Sequence, residues 1–140
     1  MYASNVGSIL LVDADPEASE RLGAEIKATG HEAVLARSLA EAFELISEGG
    51  IDIVIVDSDD PASGVVDLAR SMESLPDAPP IVLVSSSPSA PELSARMGAA
   101  VFLMKPYEQP ELHAALDRLL GELRPVRIVN DEPTGPVRYV

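Results

Sequence analysis

The 140-residue sequence contains no cysteine and no tryptophan, and it has no long hydrophobic run. Without cysteine there are no disulfide bonds and no thiolate metal ligands, a composition that suits a reducing compartment. No apolar segment approaches the roughly 20 residues that span a bilayer, and the N-terminus lacks the basic flank and apolar stretch of a signal peptide. We therefore predict a cytoplasmic protein with no membrane partner.

Basic residues are also scarce, since 10 lysines and arginines face 23 aspartates and glutamates, for a net charge of −13. Such a charge repels nucleic acid and anionic membrane surfaces, and it favours basic partners or metal cations. The length allows one domain with a hydrophobic core rather than two. We therefore expect a single domain with no nucleic-acid partner.

Short apolar runs rich in valine and isoleucine recur along the sequence. Four are continuous or nearly so, which predicts strands buried on both faces of a parallel sheet: residues 9–12, 51–56, 81–84 and 101–104. A fifth run, residues 32–36, is less apolar and is typical of an edge strand. Met104, which ends the last run, is expected to lie in the core.

Helical patterns with recognisable start signals lie between these runs. Asp15 followed by Pro16 predicts a cap and a first helical position, and Ser38 with Glu41 forms a capping box. Further helices are predicted near residues 64–73, near residues 89–97 and from Pro110 onward. The alternation predicts an α/β fold, a flavodoxin-like (βα)5 doubly wound parallel sheet with strand order 2-1-3-4-5.

The helical pattern stops after Leu123, so we predict a domain over residues 1–123 and a C-terminal tail over residues 124–140. The tail contains the near-repeat "PVRIV" and "PVRYV" around the turn-rich "NDEPTG". Three interpretations stay open for it: a disordered tail, a β-hairpin, or an arm that pairs with the sheet edge of a partner.

Residues suited to binding cations or phosphate come directly after four of the predicted strands. Asp13 follows the run 9–12, Asp57 follows 51–56, Ser85 follows 81–84 and Lys105 follows 101–104. The carboxyl ends of parallel strands meet at one edge of the sheet, where open α/β sheets bind ligands. Carboxylates suit Mg²⁺, whereas a hydroxyl and an ammonium suit phosphate oxygens. The sequence therefore predicts a site for a divalent cation and a phosphoryl group.

The motifs around these residues are "ILLVDADP", "DIVIVDSDDP", "IVLVSS" and "MGAAVFLMKPY". Through them the chain resembles a response-regulator receiver domain (CheY-like) of two-component signalling, from about residue 8 to residue 123. The resemblance implies that Asp57 is the phosphoacceptor for a histidine kinase or a phosphotransfer protein. It further implies that Asp13, Asp57 and the backbone carbonyl of Asp59 bind Mg²⁺. Lys105 would hold a phosphate oxygen, and its peptide bond to Pro106 is often cis in the family.

By the same resemblance, Ser85 is the switch hydroxyl and Phe102 the switch aromatic that turns inward when the hydroxyl moves. Each residue also has a simpler interpretation. Ser85 is suited to a local backbone hydrogen bond at a strand end, and Phe102 to core packing. Output in the family commonly comes from the face formed by helix 4, strand 5 and helix 5, where a downstream protein binds. A homodimer is also left open.

The sequence departs from the family pattern at Ala14, where a second acidic metal ligand is expected. Asp15 is better explained as a helix cap than as its replacement. The loop from Pro61 to Gly64 is one residue short. The side chain of Asp59 is either a substitute for the missing ligand or, as we favour, a solvated acid of that loop. The missing ligand predicts weaker Mg²⁺ binding than in an intact receiver, with Asp13 and Asp57 keeping some capacity.

The leading hypothesis is a single-domain receiver, not an enzyme, that acts as a phosphorylation-controlled protein-binding switch. The second is a pseudo-receiver, which would bind proteins without phosphotransfer. A remote third is a haloacid-dehalogenase-type phosphatase, because "IVIVDSDD" matches the start of that motif with Asp57 as nucleophile and Asp59 as acid. That family places the motif on its first strand, whereas here it falls on the third.

Overall fold

Strands and helices alternate along the chain in a computed structural model that describes residues 7–13, 15–59 and 64–123. The strands are β1 (Ser8–Asp13), β2 (Glu32–Ala36), β3 (Ile53–Asp57), β4 (Ile81–Ser85) and β5 (Val101–Met104). The helices are α1 (Pro16–Ala28), α2 (Leu39–Glu48), α3 (Val65–Met72), α4 (Ala90–Met97) and α5 (Gln109–Leu123). The strands form one parallel sheet of order β2-β1-β3-β4-β5, which confirms the predicted topology.

The strand ends differ slightly from the predicted runs, and the difference matters for the site. Asp13, Asp57 and Ser85 are the last residues of β1, β3 and β4 rather than the first residues after them. Their backbones are therefore fixed by the pairing of the strands, with Asp57 opposite Val84 and Ser85 opposite Met104. The sheet, not a loop, sets the positions of these polar residues.

Each face of the sheet has its own hydrophobic core. One core packs α2, α3 and α4 against the sheet, and the other packs α1 and α5 against the opposite face. The expected leucine stripe of α5 supplies four fully or almost fully buried side chains to the second core: Leu112, Leu116, Leu119 and Leu120. The prediction that Met104 lies in the core is wrong, since it is 44 % exposed at the end of an edge strand, which has a neighbour on one side only.

The predicted helix starts are confirmed. The Asp15 side chain caps α1 by accepting a hydrogen bond from the Glu17 N–H, with Pro16 as the first helical residue. The Ser38 hydroxyl accepts from the Glu41 N–H, and the Glu41 carboxylate reaches back to the Arg37 N–H. These caps fix where α1 and α2 leave the sheet edge that carries the polar residues.

Helix α3 starts without a side-chain cap because Gly64 precedes it in a left-handed conformation at φ 92°. A Cβ atom at Gly64 would lie 2.8 Å from Cδ1 of Leu39, so only glycine fits both the dihedral angle and the space. The helix therefore begins with a glycine rather than with one of the polar capping residues that mark the starts of α1 and α2.

Three sequence predictions lie outside the described residues: the missing ligand at Ala14, the shortened loop after Pro61, and the three interpretations of residues 124–140. They stay predictions. Within the described part of the chain, no helix is long and apolar enough to cross a membrane.

Candidate functional site

Four of the predicted site residues meet at the carboxyl edge of the sheet. Asp13 and Asp57 are direct Cα partners in the pairing of β1 with β3, which places their side chains next to each other. The Lys105 N–H donates to the Ser85 carbonyl at 2.8 Å, which extends the pairing of β4 and β5 by one residue. The central strands and the β5 edge thus bring two carboxylates, a hydroxyl and an ammonium to one place.

An ion pair with a direct hydrogen bond joins Lys105 and Asp57. Lys105 Nζ donates to Asp57 Oδ1 at 2.8 Å, and the Lys105–Pro106 peptide bond is cis, as the resemblance implies. Partial burial acts to lower the pKa of Lys105, but the hydrogen bond and charge of Asp57, with the charges of Asp59 and Asp13, outweigh it and raise the pKa. Lys105 therefore stays a cation, held against the predicted phosphoacceptor.

The side chain of Asp59 differs from the expectation of a solvated loop acid. Its Oδ1 accepts hydrogen bonds from Ser85 Oγ at 3.1 Å and from the Ser86 N–H at 2.7 Å. Its Oδ2 lies 3.6 Å from Lys105 Nζ. Hydrogen bonds from the backbone and the side chain of Ser86, with smaller contributions from Lys105 and Ser85, lower the pKa of Asp59 despite partial desolvation. Asp59 is therefore an ionised member of the site.

Ser85 is fully buried and both donates and accepts hydrogen bonds. Its hydroxyl donates to Asp59 and accepts from the Ser87 N–H at 3.1 Å, so the local backbone bond that we considered forms together with a long-range one. Phe102 is half-buried and packs against the core that contains α2, α3 and α4. The switch roles of these two residues stay predictions.

Asp13 accepts a hydrogen bond from the Asp15 N–H through Oδ1 at 2.9 Å. Partial burial raises the pKa of Asp13, and the negative charges of Asp57 and Asp15 add to this effect. The hydrogen bond and the charge of Lys105 act in the opposite direction without cancelling it. Asp13 thus carries a charge that its surroundings disfavour, which a nearby cation would relieve.

The described residues meet only the minimum requirement for Mg²⁺. They contain no group of three acidic or histidine side chains that could hold a metal ion. Asp13 and Asp57 supply two neighbouring carboxylates, and Mg²⁺ uses one or two carboxylates where water and phosphate oxygens complete its octahedron. The Asp59 carboxylate is committed to Ser85 and Ser86. The donor set therefore fits a weak, water-rich Mg²⁺ site.

A cavity of about 120 Å³ opens beside the two carboxylates. It is bordered by Asp13 and Asp57 on the sheet and by Arg37, Ser38 and Leu39 at the start of α2. Neither this cavity nor the Ser86 N–H as a donor is among the sequence predictions. The sequence offers one signal for Ser86, which is that it directly follows Ser85, the predicted switch hydroxyl.

Comparisons with known proteins agree with this geometry. Residues 9–117 match the family described as "Response regulator receiver domain". The response regulator MprA of Mycobacterium sp. strain KMS is 31 % identical over 119 residues, which cover 84 % of this chain and 52 % of that protein. MprA of Mycobacterium ulcerans is 30 % identical over 131 residues, covering 92 % of this chain and 55 % of that protein. The chain thus spans about half the length of the curated relatives it matches.

Solved structures show the same fold. The receiver domain of a signal transduction histidine kinase from Syntrophus aciditrophicus superposes with a TM-score of 0.74 at 29 % identity, covering 86 % of this chain and 94 % of that chain. The receiver domain of sensor histidine kinase PA1611 from Pseudomonas aeruginosa PAO1, which has a magnesium ion in its active site cleft, gives 0.74 at 21 % identity, covering 83 % and 98 %. By its sequence match, its sheet order and the site at the strand ends, this chain belongs to the receiver domain family of response regulators.

Proposed function

We propose that Asp57 is phosphorylated by a histidine kinase or a phosphotransfer protein, and that the protein acts as a protein-binding signalling switch. One observation carries the proposal, which is the 2.8 Å contact of Lys105 Nζ with Asp57 Oδ1 at the end of β3. A carboxylate is a weak nucleophile, so transfer depends on positioning and on charge stabilisation. The Lys105 ammonium, held against the Asp57 carboxylate, supplies both the positioning and the charge stabilisation.

The transfer forms a bond between an Asp57 oxygen and phosphorus, while the bond from phosphorus to the donor histidine nitrogen breaks and its electron pair returns to that nitrogen. Lys105 stabilises the negative charge on the phosphoryl oxygens. When bound, Mg²⁺ would be held by the carboxylates of Asp13 and Asp57 and would neutralise part of the same charge. The magnesium ion in the receiver of PA1611 supports this choice of cation.

The output that we propose is a surface change on the face formed by α4, β5 and α5. Ser85 is on β4 beside the site, and Phe102 is on the adjacent edge strand β5, packed against the core that contains α4. A movement of the Ser85 hydroxyl would be passed to Phe102 through this shared edge. The exposed end of β5 at Met104 offers apolar surface to a downstream protein.

The domain itself is proposed to end with α5, with residues 124–140 as a separate tail that contributes to partner binding. A pull-down with residues 1–123 and with the full chain tests this division. Loss of a partner on truncation, with unchanged unfolding by denaturant, would support it. A lower free energy of unfolding of the truncated protein would show instead that the tail is part of the domain.

Incubation with Mg²⁺ and acetyl phosphate, followed by intact-protein mass spectrometry, tests the phosphorylation. We expect the mass to increase by one phosphate in the wild type and in Asp67→Asn, an exposed acid of α3, but not in Asp57→Asn. No mass increase with acetyl phosphate and none with the cognate kinase would contradict the proposal.

The pseudo-receiver is the second candidate, and one observation favours it: the Asp59 carboxylate already engages Ser85, Ser86 and Lys105. Partner binding that is the same for the wild type and for Asp57→Asn, with no phosphate uptake, would establish it. The lowered pKa of Asp59 argues against the phosphatase, because a general acid must be protonated.

A further inference from the structure

Three donors from two strand ends converge on the single carboxylate of Asp59. The Ser85 hydroxyl and the Ser86 N–H both point to Oδ1, at 3.1 Å and 2.7 Å, and Lys105 Nζ lies 3.6 Å from Oδ2. A hydroxyl, a backbone amide and an ammonium around one oxyanion form an anion cradle, defined here as Ser85 Oγ, the Ser86 N–H and Lys105 Nζ.

The cradle lies beside Asp57, because Lys105 Nζ contacts Asp57 Oδ1 at 2.8 Å and also approaches Asp59. A phosphoryl group on Asp57 would carry oxygens that need donors at this edge of the sheet. The Ser85 hydroxyl and the Ser86 N–H have one hydrogen each, and both hydrogens are given to Asp59. A phosphoryl oxygen and the Asp59 carboxylate therefore compete for the same two hydrogens.

We propose that the Asp59 carboxylate is an internal occupant of the anion cradle, and that it must leave the cradle before a phosphoryl group on Asp57 can be held there. The first part of the proposal concerns the unphosphorylated protein alone, whereas the second part rests on the proposed function. In the unphosphorylated protein, Asp59 engages the Ser85 hydroxyl as a phosphoryl oxygen would.

The exposure of the two acids makes the exchange physically reasonable. The Asp59 side chain is 51 % exposed and the Asp57 side chain is 16 % exposed. Asp59 can therefore turn into water, where its charge is well solvated, while Asp57 keeps its position on β3. The loss of hydrogen bonds by Asp59 is offset by those that the phosphoryl group gains.

Two variants separate occupation of the cradle from charge. Asp59→Ala removes both the acceptor and the charge, and Asp59→Asn keeps an acceptor oxygen without the charge. Asp67→Ala, an exposed acid on α3, is the matched control for the loss of one negative charge.

The Ser86 amide proton reports occupation directly, without phosphate. By NMR we expect it to move upfield in Asp59→Ala and to exchange with solvent about tenfold faster or more, because a hydrogen bond to a charged group is lost. Asp59→Asn should lie between wild type and Asp59→Ala, and Asp67→Ala should match the wild type. A Ser86 amide that is the same in Asp59→Ala and wild type would overturn the proposal.

The rate of phosphorylation by acetyl phosphate reports the competition. We expect the rate to rise by about tenfold in Asp59→Ala, because the donors of the cradle are no longer occupied. The rise should persist at high salt, because salt screens the repulsion between exposed charges but does not break the hydrogen bonds that Asp59 makes in the wild type. A rate no higher than that of wild type, or a rise that vanishes with salt, would overturn the competition. If neither protein takes up phosphate from acetyl phosphate or from the cognate kinase, the proposed function fails, and the Ser86 amide alone decides whether Asp59 occupies the cradle.

Discussion

Lys105 Nζ donates a hydrogen bond of 2.8 Å to Asp57 Oδ1 across the gap between the edge strand β5 and the central strand β3. The contact is held from the backbone, since the Lys105 N–H is itself bonded to the Ser85 carbonyl of the intervening strand β4. The backbone of Lys105 is thereby fixed by the sheet, and its side chain reaches Asp57 from there. This placement makes Lys105 the best single residue for testing the chemistry.

Replacement of Lys105 by methionine keeps most of the length of the side chain and removes its charge. We expect Lys105→Met to lower the rate of phosphorylation by acetyl phosphate by about 10²-fold, the usual loss for one preorganised charge-stabilising donor. Lys105→Arg should recover only part of the rate, because a planar guanidinium does not reproduce a point charge. A rate within twofold of wild type for the methionine variant would exclude Lys105 from the reaction.

Removal of the Ser85 hydroxyl should affect stability as well as signalling. In Ser85→Ala the Ser87 N–H loses its acceptor and Asp59 loses one donor. We expect the free energy of unfolding to fall by about 1 kcal/mol, measured with urea. Ser47→Ala is the control, because the Ser47 hydroxyl bonds to its own exposed helix turn, and it should stay within about 0.5 kcal/mol of wild type. Equal effects of the two substitutions would contradict the structural role of Ser85.

Restoration of the absent acid tests the weak Mg²⁺ site. We expect Ala14→Asp to raise Mg²⁺ affinity by about tenfold or more, since even the loss of a group that orients a ligand costs that much. The affinity follows from NMR shifts during a Mg²⁺ titration, with Ala14→Asn as a control of similar size without charge. Unchanged affinity in Ala14→Asp would mean that the missing ligand is replaced by another group or that the site does not use Mg²⁺.

A pH effect is expected at the opposite end of β1, where the Gly7 N–H donates to His31 Nδ1 at 3.1 Å and so requires the neutral ring. Burial lowers the pKa of His31 below 6.5, with a small contribution from His113 and against the attraction of Asp117. The unfolded chain therefore binds more protons than the native state between that lowered pKa and 6.5. The contribution of neutral His31 to the free energy of unfolding is complete above pH 6.5. It is lost as the pH falls from 6.5 through the lowered pKa of His31.

Urea unfolding of the wild type and of His31→Asn at about pH 7.5 and about pH 5.5 measures this effect. Asparagine keeps an acceptor oxygen near the position of Nδ1 but does not titrate. The wild type should lose more stability than the variant on acidification. Equal losses would show that His31 does not contribute to the pH dependence.

The sheet order and the convergence of Asp57 and Lys105 at one edge were predictable because they depend on patterns that the backbone enforces. Strands that are buried on both faces of a parallel sheet appear in the sequence as apolar runs. Polar residues at the carboxyl ends of these strands must lie along the same edge of the sheet. The direction of the Asp59 side chain was not predictable, because it depends on a loop conformation that no periodicity records. The prediction that Met104 is buried was wrong for a related reason. Met104 is as apolar as a core residue, but at the end of an edge strand it lacks the neighbours that would bury it.

The pairing of β1 with β3 sets Asp13 opposite Asp57, so the repulsion between these acids comes from the strand register rather than from a choice of rotamer. Folding brings the two charges together, and the folded protein gains more than the unfolded chain from any cation bound between them. The free energy of unfolding of this protein therefore depends on the cation concentration of the buffer as well as on the sequence. Variants of the acidic edge are comparable only in buffers with the same free divalent cation concentration.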